Sequence, residues 1–411
     1  MFQQKSKRYL AGVLLLFFVA ATPSFSQETT DSADEPEHWA GVELVEAVSQ
    51  TTGIAISPLF GVGALGAWTW FQTPSAQRDA LPWFAQEWFW LPALLLVLLL
   101  VAKDPLLGWI PIIKKPLDAL DVVEDKFSAV LASAVVIPML ISVFSSAVPS
   151  ETASATAASP FLLAITMPAF LSGALGKAII VFAVIGMMAA FFVTWLASHT
   201  INVLILLSPF GPLDMVLRAI KGLVLGTLVI ATMIAPVLGL IVSVVIILFA
   251  WRVSGWTFRF TVFGSIFGWD ILMLAHRRFD AGAEAIKAFS GRGLGDLPPR
   301  TYGELRSDGQ GGQVFGYHPW LLFPERRYQV PVGDKVVGKG LLAPVLVAAR
   351  AEESQGQIDV RFPPRCLGHE ETLAERLGAK EVRLLGVRRS FSTLRRWLRE
   401  IVSGNGEPAT G

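Results

Sequence analysis

The chain is poor in cysteine, histidine and charged side chains. Cys366 stands alone among 411 residues, which excludes an intramolecular disulfide bond and a metal site built from several cysteines. The five histidines show no metal-ligand spacing. They are His38, His199, His276, His318 and His369. We therefore expect neither a metal nor a cofactor.

Apolar residues take the place of the missing charge. Charged residues make up 16% of the chain and hydrophobic residues 53%, whereas soluble domains average about 25% and about 45–50%. The composition predicts an all-α polytopic membrane helix bundle followed by a soluble α+β domain. The expected segments are a signal peptide (1–26), an acidic extracytoplasmic segment (27–51), a transmembrane domain (52–276) and a soluble domain (277–411).

The first 26 residues have the layout of a secretory signal peptide. A basic start at Lys5, Lys7 and Arg8 precedes an apolar run over residues 10–21, and small residues precede a cleavage point before Gln27. The alternative is an uncleaved anchor helix. Either reading places the acidic segment that follows outside the cytoplasm.

Long apolar runs predict five to seven membrane spans, since a helix needs about 20 apolar residues to cross a bilayer. The clearest are 82–102, 127–148, 178–207 and 222–251, with a kink expected at Ala235-Pro236 and a weaker run at 258–275. Residues 52–71 and 160–174 are interrupted by glycine or proline. Each of these two is either a span or a re-entrant segment.

The distribution of lysine and arginine predicts the orientation, because short cytoplasmic loops are enriched in both. Residues 103–126, 208–221 and 277 onward contain lysine and arginine, whereas residues 149–176 contain neither. We expect a multi-pass protein of a bacterial inner membrane with a cytoplasmic C-terminus. The mixed-charge stretch 103–126 is expected to lie as a helix on the membrane surface.

The last 135 residues, with 21 basic and 16 acidic side chains, predict a soluble domain. Short apolar runs at 313–323, 328–332, 341–348 and 358–362 predict a small antiparallel sheet. Helices are expected at 280–289, 370–377 and 392–402. In the last of these, Arg395, Arg396 and Arg399 oppose an apolar face, so it either packs on the sheet or attaches to anionic lipid.

Polar residues inside apolar runs are the strongest functional signal, because burying them in a membrane is costly. The candidates are Ser198, His199, Asn202 and Asp270. His199 and Asn202 lie three residues apart and therefore share one helix face. They line a path for a proton or small solute, bind a lipid head group, or hydrogen-bond between helices and fix packing.

No enzyme signature is found. The glycines at 291–295 lack the strand and helix that flank a dinucleotide loop. Asp118, Asp121 and Glu124 share a helical face, but the lysines around them favour a solvated surface helix. The positive charge of the last domain is too diffuse for nucleic-acid binding.

Over roughly residues 54–252 the chain resembles an uncharacterised family of small bacterial polytopic inner-membrane proteins, a domain of unknown function. The resemblance rests on residues 118–135, on Ser198-His199 and on Ser208-Pro209 before another apolar run. The insert at 149–174 and the long C-terminal domain depart from that pattern. The resemblance implies a bacterial polytopic membrane fold and no reaction.

Two functional hypotheses follow from the sequence. In the first, the bundle is a transport or lipid-handling unit, and the soluble domain regulates it or docks to it. In the second, the bundle is a non-catalytic anchor or scaffold that recruits a protein partner through residues 277–411. The lipid bilayer is a partner in both. Broken helices favour the first, since discontinuous helices often mark substrate sites.

Overall fold

A computed structural model describes residues 40–107, 111–146, 174–208, 211–272, 279–280, 282–308, 312–331, 333–340, 343–348 and 358–384. The chain forms two compact units, Met1–Thr257 and Phe258–Gly411. The predicted signal peptide, most of the acidic segment, the run at 160–173 and the helix at 392–402 with Arg395, Arg396 and Arg399 lie outside the described residues.

The described part of the first unit is helical. Its helices are α1 (Ala40–Ile56), α2 (Pro58–Gln72), α3 (Glu87–Leu107), α4 (Pro111–Ser146), α5 (Ala174–Leu207), α6 (Gly211–Ile234) and α7 (Pro236–Leu272), the last of which continues into the second unit. Among the described residues, four helices are long and apolar enough to cross a membrane. They are Asp118–Ser145, Lys177–Leu207, Pro212–Ile234 and Pro236–Ile271.

The predicted membrane-type helical domain is therefore confirmed, but the predicted count of five to seven spans is not. The apolar part of α3, Glu87–Ala102, is shorter than the four candidates. The run at 52–71 divides at Ser57, where Pro58 begins α2, because proline has no N–H to continue a helix but is tolerated in its first turn. Gly61 allows the two helices to meet closely, since a Cβ there would lie 2.7 Å from Ile54 Cα.

Two other predicted elements are wrong. The stretch 103–126 does not form a surface helix of its own, because its first residues end α3 at Leu107 and its last belong to α4, which continues from Pro111 to Ser146. The run at 222–251 is not one span either: α6 ends at Ile234 and α7 begins at Pro236. The proline starts a new helix here instead of kinking an existing one.

The helical unit packs small and branched side chains inside and large apolar side chains outside. Ala55 on α1 and Ala132, Val136 and Leu140 on α4 are fully buried. Phe182, Leu223 and Phe249 are among the large apolar side chains that remain more than half exposed. A lipid environment suits such outer surfaces, because it imposes no cost for exposing apolar atoms.

The described part of the second unit contains an eight-stranded sheet. Its strands are β1 (Ile286–Ser290), β2 (Tyr302–Ser307), β3 (Gln313–Tyr317), β4 (Arg326–Gln329), β5 (Lys335–Lys339), β6 (Val345–Ala348), β7 (Ile358–Arg361) and β8 (Glu381–Leu384). Their order is β4-β3-β2-β1-β7-β6-β5-β8. All neighbours are antiparallel except β5 and β8, which run parallel. Phe289, Phe315 and Phe362 are fully buried in this unit.

The helix predicted at 370–377 is confirmed as α8 (Glu370–Leu377), which ends at Gly378 with a φ of 61°, the left-handed conformation that glycine adopts without strain. The helix predicted at 280–289 is wrong, because Ile286–Ser290 forms β1 between β2 and β7. Four of its five side chains are buried, so the segment has no exposed face from which its strand period could be read.

Candidate functional site

The end of α5 and the first half of α4 hold a fully buried histidine–aspartate pair. His199 Nδ1 lies 2.5 Å from Asp125 Oδ2. His199 is 0% exposed and Asp125 is 2% exposed. Both residues belong to helices that are long and apolar enough to cross a membrane. An ionisable pair in such a position is costly, and pairs of this kind mark proton or ion pathways in membrane proteins.

The geometry of the pair fixes the roles of its nitrogen atoms. When Asp125 is a carboxylate it only accepts hydrogen bonds, so the N–H of His199 Nδ1 donates the hydrogen bond. The second ring nitrogen, Nε2, is buried and has no hydrogen-bonding partner among the described residues. Since most buried polar atoms have a partner, Nε2 is the unusual atom of this pair.

Trp195 holds the pair in place. Its ring stacks on the His199 imidazole with centroids 5.0 Å apart and planes at 23°, as the i, i+4 spacing on α5 allows. Its indole Nε1–H donates to the backbone oxygen of Asp125 at 3.3 Å. One side chain therefore contacts both members of the pair and restricts the rotation of the imidazole.

The neighbouring polar side chains of α5 bind to other helices. Ser198 Oγ donates to the backbone oxygen of Ile56 at the end of α1, at 2.6 Å. Thr200 Oγ1 lies 3.3 Å from the backbone oxygen of Thr257 on α7. These bonds fix the last part of α5 against two further helices, so the pair lies where four helices meet.

A second group of charges links α4, α5 and α6. Arg218 Nη2 lies 3.0 Å from Asp118 Oδ1 and 3.2 Å from Asp121 Oδ2. Lys221 Nζ donates to Asn202 Oδ1 at 3.4 Å. Arg218 and Lys221 are one helical turn apart on α6, which directs both toward the same neighbours. The result is a polar layer at one end of these three helices, beside the histidine–aspartate pair.

Asp270 lies in a different environment from the other predicted candidates. It is buried in the second unit and accepts hydrogen bonds from Arg365 Nε at 2.8 Å and Nη2 at 2.7 Å. The hydrogen bond to Asp270 raises the pKa of the Arg365 guanidinium above its ordinary value. This two-point contact fixes α7 to the loop after β7, so Asp270 has a structural role.

The sequence-based reading missed the acidic partners. Asp118 and Asp125 are buried and Asp118 binds Arg218, whereas a solvated surface helix was expected for this stretch. The available signal was spacing: Asp118, Asp121 and Asp125 follow one another at three and four residues and therefore lie on one face of α4. The lysines around them obscured this pattern.

The first unit also has an apolar cavity of about 340 Å³ between α2, the segment after it and α4. Its lining is almost entirely apolar and includes Leu65, Trp83, Phe84, Val135, Pro138 and Met139. A cavity of this size and chemistry could accommodate part of an acyl chain. No polar group in the lining gives it specificity.

Within the described ranges, no group of three or more histidine, cysteine, aspartate or glutamate side chains could hold a metal ion. Comparison of the chain with family models, with curated proteins and with solved structures gives no significant match.

Proposed function

We propose that the helical unit is a transport unit in which the His199–Asp125 pair carries a proton. The observation that supports this proposal is that Nε2 of a fully buried histidine has no hydrogen-bonding partner in the part of the chain that the structure describes, while its other nitrogen contacts a carboxylate. A pair that served only to fix packing would use both nitrogens, because each unpartnered buried polar atom costs about 1–3 kcal/mol.

The surrounding charges suit this role. Arg218 pairs with both Asp118 and Asp121 and offsets one of their two charges, whereas Asp125 is the carboxylate that contacts His199. Uptake of a proton at Nε2 turns the neutral imidazole into a cation next to Asp125, so the charge appears where a counter-ion is already in place. The interruptions at Ser57 and Ala235 supply points at which the helices can bend during a transport cycle.

The proposal also assigns the ends of the membrane-crossing helices to the two sides of the membrane. Four crossings by α4 to α7 put the start of α4, the α5–α6 connection and the residues after α7 on one side. The residues after α7 are basic, and Arg218 and Lys221 lie in the first half of α6, next to the α5–α6 connection, whereas the connection between α4 and α5 has no lysine or arginine. We therefore assign the ends with these basic residues to the cytoplasm. We also propose that the protein lies in a bacterial inner membrane and belongs to the uncharacterised polytopic family.

A lipid-handling role is the second candidate, and the apolar cavity beside α2 and α4 favours it. The alternative to both is a passive anchor that recruits a protein partner through the second unit. In an anchor, His199 is a packing residue that water never reaches. Access of a water-soluble reagent to His199 therefore separates transport from anchoring.

Diethyl pyrocarbonate, which acylates unprotonated imidazole nitrogens, tests this access. We expect His199 to be modified in intact membranes, because Nε2 must meet water during a proton-carrying cycle, and to react more slowly than in denatured protein. Peptide mapping by mass spectrometry measures the modification. Ser243→Ala, which removes another buried polar group, is the control and should react at His199 like the wild type. Modification of His199 only after denaturation would contradict the proposal.

A further inference from the structure

The loop between β3 and β4, residues 318–325 and here called the tip loop, exposes an unbroken apolar run. Trp320 is 37% exposed, Leu321 49%, Leu322 89% and Phe323 57%. Single exposed apolar residues are common on soluble proteins, but a run of four that includes a tryptophan and a phenylalanine marks an interaction site.

The backbone of the tip loop forms hydrogen bonds within the loop. The N–H groups of Leu321, Leu322 and Phe323 donate to the carbonyl oxygens of His318 and Pro319, and His318 Nδ1 lies 3.1 Å from the carbonyl oxygen of Phe323. These three donors therefore need no water. A segment with its N–H groups satisfied internally can enter a lipid environment, where each unsatisfied group costs several kcal/mol.

The loop keeps this shape against local strain. Trp320 and Leu321 have φ values of 53° and 59°, in the left-handed region that costs an L-residue roughly 1–2 kcal/mol. A strained conformation that directs apolar side chains outward is uncommon without a function. The strain thus supports an interaction role for the tip.

The tip contacts the part of α7 that belongs to the second unit. The Trp320 ring packs on Phe258 with centroids 4.6 Å apart. Phe258 follows the start of α7 at Pro236 by about 33 Å of helix, which is close to the thickness of a bilayer core. The exposed Trp251 and Trp256, with Arg252 and Arg259 close by, form the kind of aromatic and basic belt found at that boundary.

The charges next to the tip favour a membrane with anionic lipids. Arg326 and Arg327 follow it directly, and both are exposed. Glu325 lies 3.2 Å from Arg327, and Glu304 lies 2.7 Å from Arg306, so two carboxylates offset two of the three nearby positive charges. The remaining excess suits phosphate head groups.

We propose that the tip loop inserts Leu321, Leu322 and Phe323 into the lipid–water interface and thereby attaches the sheet-containing unit to the bilayer through a second point besides α7. Arg326 and Arg327 bind lipid head groups above the inserted side chains. The bilayer is the occupant because the exposed apolar run adjoins the exposed guanidinium groups of Arg326 and Arg327 and packs, through Trp320, on Phe258.

Fluorescence quenching of a label on the tip tests the proposal. Leu322→Cys in the full-length protein carries an environment-sensitive fluorophore, in vesicles of phosphatidylethanolamine and phosphatidylglycerol. Lys380→Cys, at another exposed site of the same unit, is the matched control. Cys366 is buried and burial raises the pKa of its thiol to about 12, so it remains protonated and unlabelled at neutral pH.

We expect spin-labelled lipid to quench the label at 322 about threefold more strongly than the label at 380, because an inserted tip lies about 5–10 Å within the interface. Iodide in the aqueous phase should instead quench the label at 380 more strongly than the label at 322. Equal quenching of both labels by iodide would place the tip in water and overturn the proposal. Protection of the label at 322 from both quenchers would mean that protein covers the tip, and would overturn it equally.

Discussion

Replacing Asp125 by leucine should lower the free energy of unfolding of the helical unit by about 3 kcal/mol, because it leaves the imidazole of His199 buried with neither nitrogen bonded. His199→Leu should cause a loss of similar size by leaving the Asp125 carboxylate without its partner. The double variant should recover most of either loss, since two apolar side chains can replace a buried pair at little cost.

Unfolding of the purified protein in mixed detergent micelles measures these effects. Ser243→Ala, at a fully buried hydroxyl on α7, is the control for removing a polar group from the helical unit. It should change stability much less, because the Ser243 hydroxyl donates to the backbone oxygen of Gly239 within its own helix. Additive losses in the double variant would show that His199 and Asp125 do not act as a pair.

Asp270→Asn should destabilise the sheet-containing unit by about 2–3 kcal/mol, because it leaves the charge of Arg365 facing a neutral amide in a largely buried position. We expect a loss of stability near the lower end of the range for buried pairs, because the Arg365 side chain is 29% exposed. Pulse proteolysis of the full-length protein in micelles reports the unfolding of this unit.

The control for Asp270 is Asp334→Asn, which breaks an ion pair whose two side chains are 59% and 61% exposed. Exposed pairs contribute little to stability, so this variant should resist proteolysis like the wild type. If Asp270→Asn were equally resistant, the contact between Asp270 and Arg365 would not be what fixes the end of α7.

The helical architecture was predictable because bilayer thickness sets the length of the apolar runs. The breaks were harder to interpret. Pro58 and Pro236 are visible in the sequence, but a proline starts a new helix as readily as it bends an existing one, and only packing decides between these outcomes. β1 was misread for a related reason: a strand buried on both faces has no alternation, so its five residues did not contradict a helix.

Half of the candidate site could be predicted. His199 stands out because it is an ionisable residue in a long apolar run. Asp125 does not, because it lies among Glu124 and Lys126 in a charged stretch, where a buried acid and a solvated one look alike. Which carboxylate meets which base depends on how α4 packs against α5, and the spacing of residues within one helix contains no information about that packing.

Proton flux in reconstituted vesicles tests the central claim most directly. The full-length protein is placed in vesicles with a pH-sensitive dye inside, and a potassium diffusion potential is imposed with valinomycin. We expect the wild type and Ser243→Ala to take up protons at similar rates, and His199→Gln to be slower by about tenfold or more, since an amide does not accept a proton at neutral pH. Equal rates in the wild type and in His199→Gln would contradict a proton-carrying role for the pair.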